Sequence, residues 1–212
     1  MKIHPAFFAL AAGLSLGGCG TSRSLPNYER PLAKTDFQQV RTTAYTHTEA
    51  DHRQYGNLTA LGTELHAAPQ PRVPRAEPVA ETEGGESYQP VAFVTRSQPF
   101  ATNNFSGQLY GSAAADWSRW PAGTVFRIIA TGQLYRVEDY GWALAGRNTI
   151  DLYMANARDM NGWGVRSEAI EIVQWGDPQA SLRKLASHQK YRHIKRMVLE
   201  LEGNHRAAAR LR

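Results

Sequence analysis

The chain has 212 residues, 42% of them hydrophobic and 20% charged, with a single cysteine. That length suits one full domain with attached segments, or two small ones. The composition excludes a disordered acidic chain and a multispanning membrane protein, and one thiol excludes an internal disulfide framework or a cysteine-rich zinc site.

The net charge of +5 is unevenly placed. Residues 179–212 hold nine Lys/Arg against two Glu, a net +7, which leaves 15 Lys/Arg against 17 Asp/Glu, a net −2, for residues 1–178. The basic balance belongs to a C-terminal appendage on a mildly acidic body. No nucleic-acid-binding motif accompanies it, so no nucleic-acid partner is expected.

Lys2 and the apolar run over residues 5–18 read as a signal peptide, since a spanning helix needs about 20 apolar residues. The run ends in Leu16-Gly17-Gly18-Cys19, which looks like a bacterial lipoprotein box with Cys19 as the lipid anchor. The competing reading is an ordinary signal peptide that happens to contain a cysteine. Lipidation places the mature protein in the bacterial cell envelope, on a membrane through its N-terminal lipid, because several acyl chains together anchor stably.

Residues 19–38 are polar and unpatterned and read as a tether. Residues 40–46, rich in Thr, Val and Tyr, predict a strand, and 57–65 a turn at Gly62. Residues 66–104 carry six prolines and an acidic, glycine-containing patch, and predict a long insertion, disordered apart from one short strand near 91–95. Strands are expected at 124–130, 134–138, 149–153 and 169–175, with glycines between them, and one helical turn at 155–160. Short strands with close glycine turns point to a small barrel or sandwich. Residues 180–203 show helical spacing of apolar positions with Lys/Arg between, stopped by Gly203. That basic helix either binds an anionic surface or wall polymer, or packs on the barrel with a solvated basic face; packing is the preferred reading.

Three aspartates stand out. Asp116 has a plain role available as a turn cap. Asp139 ends a strand beside a glycine turn, where it can either bond that turn or stand exposed at a barrel rim. Asp151 interrupts an apolar strand, where a carboxylate is costly unless it is paired, protonated or turned to solvent. The polar cluster His47, Glu49, Asp51 and His52 has no recognised ligand spacing, and no metal or cofactor is expected. All five tryptophans fall between residues 117 and 175. Aromatic faces stack on sugars or fill a core; Trp163 and Trp175 are expected in the core and Trp142 at a groove.

The order Asp116-x4-Pro121-x-Gly123-Thr124, Glu138-Asp139-x-Gly141-x-Ala143-x-x-Gly146, Ile150-Asp151-Leu152-Tyr153 and Trp163-Gly164-x-Arg166 resembles the three-aspartate (3D) domain family. Thr43-Ala44-Tyr45-Thr46 and Thr59-Ala60-x-Gly62-Thr63 resemble its opening strands. The match covers roughly residues 40–65 and 109–175. The resemblance implies a mainly β fold, a six-stranded double-psi β-barrel similar to the catalytic barrel of membrane-bound lytic transglycosylase A, here over residues 39–176; the helical pattern beyond it makes 177–212 a basic C-terminal α-helix and tail. It also implies peptidoglycan glycan strands as substrate, cut between MurNAc and GlcNAc to a 1,6-anhydro product.

By position, Asp139 matches the family's proposed catalytic acid and Asp151 and Asp116 its partners, which would tune the pKa of Asp139 and hold its loop around one groove. Tyr45, Thr59 and Trp142 are the candidate sugar contacts. Where related sequences commonly read Asp-Thr-Gly-Gly-Ala-Ile-Lys-Gly, this chain has Tyr140, Trp142, Leu144 and Ala145 in place of Thr, Gly, Ile and Lys. The alternatives are a non-catalytic, expansin-like glycan-binding barrel and a structural envelope lipoprotein.

Overall fold

The computed structural model describes residues 24–50, 52–69 and 110–212. The signal segment, Cys19, Asp51 and nearly all of the expected insertion, including its strand near 91–95, lie outside the described residues.

Six strands close into a mixed barrel: β1 (Phe37–Tyr45), β2 (Gly111–Ala115), β3 (Val125–Ile128), β4 (Leu134–Asp139), β5 (Thr149–Tyr153) and β6 (Arg166–Gln174), in the order β1-β5-β2-β4-β3-β6. The pairs β1–β5 and β2–β4 are parallel and the other four antiparallel. Closure leaves no free sheet edge. Successive side chains alternate between the faces. Val40, Ala113, Ala115, Phe126, Val137, Ile150, Leu152 and Ile170 fill the main core. Tyr45, Ala114 and Tyr153 belong to a second cluster, with Leu65 and Leu144 from the loops.

β5 matches the expected strand residue for residue, and β1, β3, β4 and β6 lie within a few residues of theirs. β2 (GSAAA) has little intrinsic strand preference. At its first residue space decides instead: a Cβ on Gly111 would stand 2.7 Å from the Ala68 nitrogen and 2.7 Å from the Tyr135 ring. Residues 66–68 press onto the strand there, with the Ser112 N–H donating to His66 O at 2.7 Å.

The segment before β1 has no regular element, as a tether would, but from residue 26 it is strapped to the body. The Glu29 N–H donates to Gly146 O, and its carboxylate accepts from Arg41 Nη1 and the Asn148 N–H. Tyr28 Oη donates to Glu200.

Helix α1 (Ala157–Trp163) runs slightly beyond the single expected turn. The C-terminal region is three short helices rather than one: α2 (Pro178–Ala186), α3 (Arg192–Leu201) and α4 (His205–Arg210). Asp177 caps α2 through the Gln179 N–H, with Pro178 in the first turn; α3 ends as expected at Gly203, whose φ is +79°. Leu185, Ile194, Met197 and Val198 join the barrel core, while Arg183, Lys184, Arg192 and Lys195 are exposed. The packed arrangement with a solvated basic face is what the structure has. Among the described residues, no helix is long and apolar enough to cross a membrane.

The tryptophans divide differently from the expectation. Trp117 and Trp120 are the buried pair, each 1% exposed, whereas Trp163 and Trp175 only cover the core from outside. The Arg166 guanidinium lies 4.2 Å over Trp163, and the Lys34 ammonium 5.9 Å over Trp175. Both rings sit at barrel margins where a cation can cap the outer face.

Candidate active site

A cleft of about 1260 Å³ opens beside β1, β5, β2 and β4, walled by the loops after β1 and β4. A row of paired residues crosses its base. Thr43 on β1 pairs with Asp151 on β5, Asp151 with Ala114 on β2, and Ala114 with Asp139 on β4.

The last of these pairings depends on a bulge. Ala113 pairs with Val137, yet Ala114 pairs with Asp139, skipping Glu138. Val137 is a core residue, so strict alternation would turn Asp139 inward as well. The extra residue re-aims the chain and brings Asp139 to the cleft. Glu138 is held by Ser112 Oγ at 2.9 Å and Arg136 Nη1 at 3.7 Å.

Asp139 is 8% exposed. Burial pushes its carboxyl up from the ordinary carboxylate range. The Tyr140 N–H, His52 and the Ala60 N–H pull the other way, and neighbouring Glu138 adds to the rise. The Tyr140 N–H reaches Asp139 Oδ1 at 2.8 Å, and Trp117 Nε1 donates to the Asp139 carbonyl at 2.9 Å, fixing the strand end. Asp151 is half-buried and takes a 2.8 Å hydrogen bond from Thr43 Oγ1.

Asp116 does not line this cleft. It is fully buried and acts as the turn cap that its plain reading offered. Oδ1 accepts from the Ser118 N–H at 2.8 Å and from Ser118 Oγ at 2.5 Å, and Oδ2 accepts from the Gly146 N–H at 2.5 Å. Arg119 Nε stands 3.8 Å away. Two of the three expected carboxylates therefore meet at the groove, and the third ties down the far end of the loop that starts at Asp139. The like charge that raises the Asp139 carboxyl is Glu138 rather than Asp116.

Trp142, Tyr45 and Thr59, the candidate sugar contacts, all line the cleft. The Thr59 hydroxyl is committed to its own turn, pairing with Thr63 Oγ1 at 2.8 Å and accepting from the Leu61 N–H at 3.2 Å. The Tyr45 hydroxyl is buried with no partner among the described residues, and so is His52 Nε2. His52 had stood out only as part of a polar cluster. Its described members have separate partners: His47 Nδ1 meets Tyr153 Oη at 2.7 Å, and Glu49 accepts from the Thr46 N–H. Among the described residues no group of His, Cys, Asp and Glu is placed to hold a metal.

Several cleft residues were missed, Thr43 and His193 among them. Thr43 could have been found from its two-residue spacing to Tyr45 along β1. His193 comes from α3, in the appendage, and packs near Tyr140 with ring centroids 6.1 Å apart; no local pattern signals that. Burial lowers the His193 pKa from its ordinary value.

Ala145 is fully buried and its carbonyl accepts from Arg196 Nη1 at 3.0 Å. The cation near this end of the loop is thus supplied by α3. No protein-family model matches the chain, and no curated protein matches it.

Proposed function

We propose that the chain is a peptidoglycan lytic transglycosylase of the three-aspartate, double-psi type, held in the cell envelope by a lipid on Cys19. The observation that carries this reading is a carboxyl, Asp139, buried at the base of a large cleft with its pKa raised, and one strand removed from a second carboxylate. The two parallel strand pairs within a closed six-stranded barrel support the double-psi assignment.

A general acid must hold its proton near neutral pH, and burial serves that end. Asp139 gives its proton to the glycosidic oxygen as the C1–O bond breaks. The resulting carboxylate then accepts the proton of the sugar's own C6 hydroxyl as that oxygen bonds to C1, closing the 1,6-anhydro ring and restoring the acid. No water nucleophile and no covalent enzyme intermediate are needed, unlike the two-carboxylate glycosidases. Asp151, fixed by Thr43, faces the positive charge that develops at C1. Asp116 is a positioning residue, acting through Gly146. Trp142 offers a ring face to the glycan.

Digestion of purified peptidoglycan followed by mass analysis tests the proposal. Anhydro-muropeptides formed by the wild type and lost in Asp139→Asn support it. Binding to sacculi without product makes the chain an expansin-like glycan-binding barrel, and neither binding nor product makes it a structural lipoprotein.

A further inference from the structure

Two polar atoms in the cleft are out of place in a finished fold. Tyr45 Oη and His52 Nε2 are each buried, and each is without a hydrogen-bond partner among the described residues. A buried polar atom left unpaired is costly, and nearly all such atoms in native proteins find partners. Both residues line the cleft, Tyr45 is 7% exposed, and their ring centroids lie 5.4 Å apart. Of the buried orphan atoms among the described residues, which also include Thr46 Oγ1, Arg119 Nε and Arg196 Nε, these two belong to cleft-lining residues whose rings are neighbours.

The site adjoins the candidate acid. The charge of Asp139 acts on the Tyr45 phenol. Burial first, then Asp139 and Asp151, push the Tyr45 phenol well above its ordinary range. Its hydroxyl therefore stays protonated and able to donate. A neutral imidazole accepts at one nitrogen and donates at the other. On the same wall, Tyr55 and Leu58 keep 61% and 48% of their surface exposed. The wall thus offers a donor, an acceptor and an apolar surface. A plain hydroxyl would use part of that set; a secondary amide with a methyl group uses all of it.

We propose that Tyr45 and His52 form a subsite for the acetamido group of an N-acetylated sugar bound next to Asp139, with the methyl toward Tyr55 and Leu58. This deepens the glycan reading of the cleft and rests on it.

Calorimetric titration with chitotetraose and cellotetraose tests the subsite, because both are neutral β-1,4 chains that differ only at C2. The Asp139→Asn protein is used so that no turnover intrudes. Chitotetraose is expected to bind roughly tenfold more tightly or better, since a site built for a hydrogen-bonding group rejects the analogue that lacks it. Tyr45→Phe and His52→Phe keep the rings and remove the polar atoms, and each should cut that ratio to about threefold or less while moving cellotetraose affinity by no more than about twofold. Tyr45→Phe deletes only an unpartnered hydroxyl, so its thermal midpoint should equal or exceed that of the parent. Equal affinity for the two sugars, no binding of either, or variants that weaken both sugars alike would overturn the proposal. A preference for chitotetraose without anhydro product from peptidoglycan sinks the enzyme reading and leaves the subsite standing. Product without that preference does the reverse.

Discussion

Asp139 and Asp151 share one backbone neighbour: Ala114 pairs with Asp151 across an antiparallel ladder and with Asp139 across a parallel one. Their Cα atoms are therefore two strand spacings apart, about 9–10 Å, with only a methyl group between them at the cleft base. Larger residues at position 114 would fill the gap a ligand needs. Ala114→Leu is expected to abolish glycan binding to the cleft and to lower stability by about 1–3 kcal/mol through overpacking. Sacculus pull-down together with a urea melt separates the two effects; binding that survives in a folded Ala114→Leu protein would place the ligand elsewhere.

The raised pKa of Asp139 has a consequence for stability. An unfolded aspartate loses its proton near pH 3.9, whereas the native carboxyl holds it to higher pH. Between those two values the native state binds more protons than the unfolded state, so this group's contribution falls as pH rises through the window and stays lowered above it. Asp139→Asn cannot ionise. Its midpoint relative to wild type should thus be higher at pH 7 than at pH 3, whatever the substitution does to activity. A wild type and variant whose difference does not change with pH would show that Asp139 ionises normally.

Asp116 calls for the opposite outcome. Its carboxylate and the Arg119 side chain are 0% and 3% exposed, and removing one partner of such a pair strands the other charge. Asp116→Ala is expected to lose about 3–5 kcal/mol, visible as a large fall in the denaturation midpoint. Activity should fall only as far as the folded fraction falls, together with any loosening of the loop at Gly146. An Asp116→Ala protein of wild-type stability that made no product would return this residue to the chemistry.

How legible the molecule was follows from which forces act locally. β5 reads directly off Thr149–Tyr153 because its apolar, β-branched pattern and its burial agree. β2 does not, because glycine and alanine have little strand preference, and Gly111 answers to what lies against it, namely Ala68 and Tyr135. Asp139 and Asp151 could be picked out as costly or exposed carboxylates. The bulge that sets Asp139 beside Ala114 is a relation between strands more than twenty residues apart, and no single segment encodes it. The strap at Tyr28 and Glu29 looked like a tether for the same reason: polar residues reveal their partners only when Arg41, Asn148 and Glu200 are brought to them.

The small residues of β2 are therefore open to direct test. Gly111→Val adds bulk where a first carbon already stands 2.7 Å from backbone and ring. The expected cost is about 1–3 kcal/mol or more, measured by chemical denaturation. Ala113→Ser would perturb the same strand by a different route, placing a hydroxyl in the apolar core without a partner. If Gly111→Val melts with wild type, residues 66–68 do not lie on β2 in solution.

Arg196 links the basic appendage to the cleft. It is 1% exposed, and its Nη1 donates to Pro26 O at 2.8 Å and to Ala145 O at 3.0 Å, while Nη2 donates to Leu211 O. One side chain thus joins the N-terminal strap, the loop after Asp139 and the chain end. Gly146, at φ +79°, leaves the room: a Cβ there would meet Arg196 Nη1 at 2.9 Å. Arg196→Met keeps the length and loses every donor, stranding the buried Ala145 carbonyl at about 1–3 kcal/mol and freeing the half-buried Pro26 and Leu211 carbonyls. A loss of about 3 kcal/mol is expected, with faster amide exchange at residues 143–146 as well as within α3. His193 lies one turn earlier on the same helix and lines the cleft, so glycan affinity should fall too, whereas exposed Lys195→Ala should leave it unchanged. Exchange that rises only in the helices, with affinity intact, would make the appendage a passive cover and not part of the cleft wall.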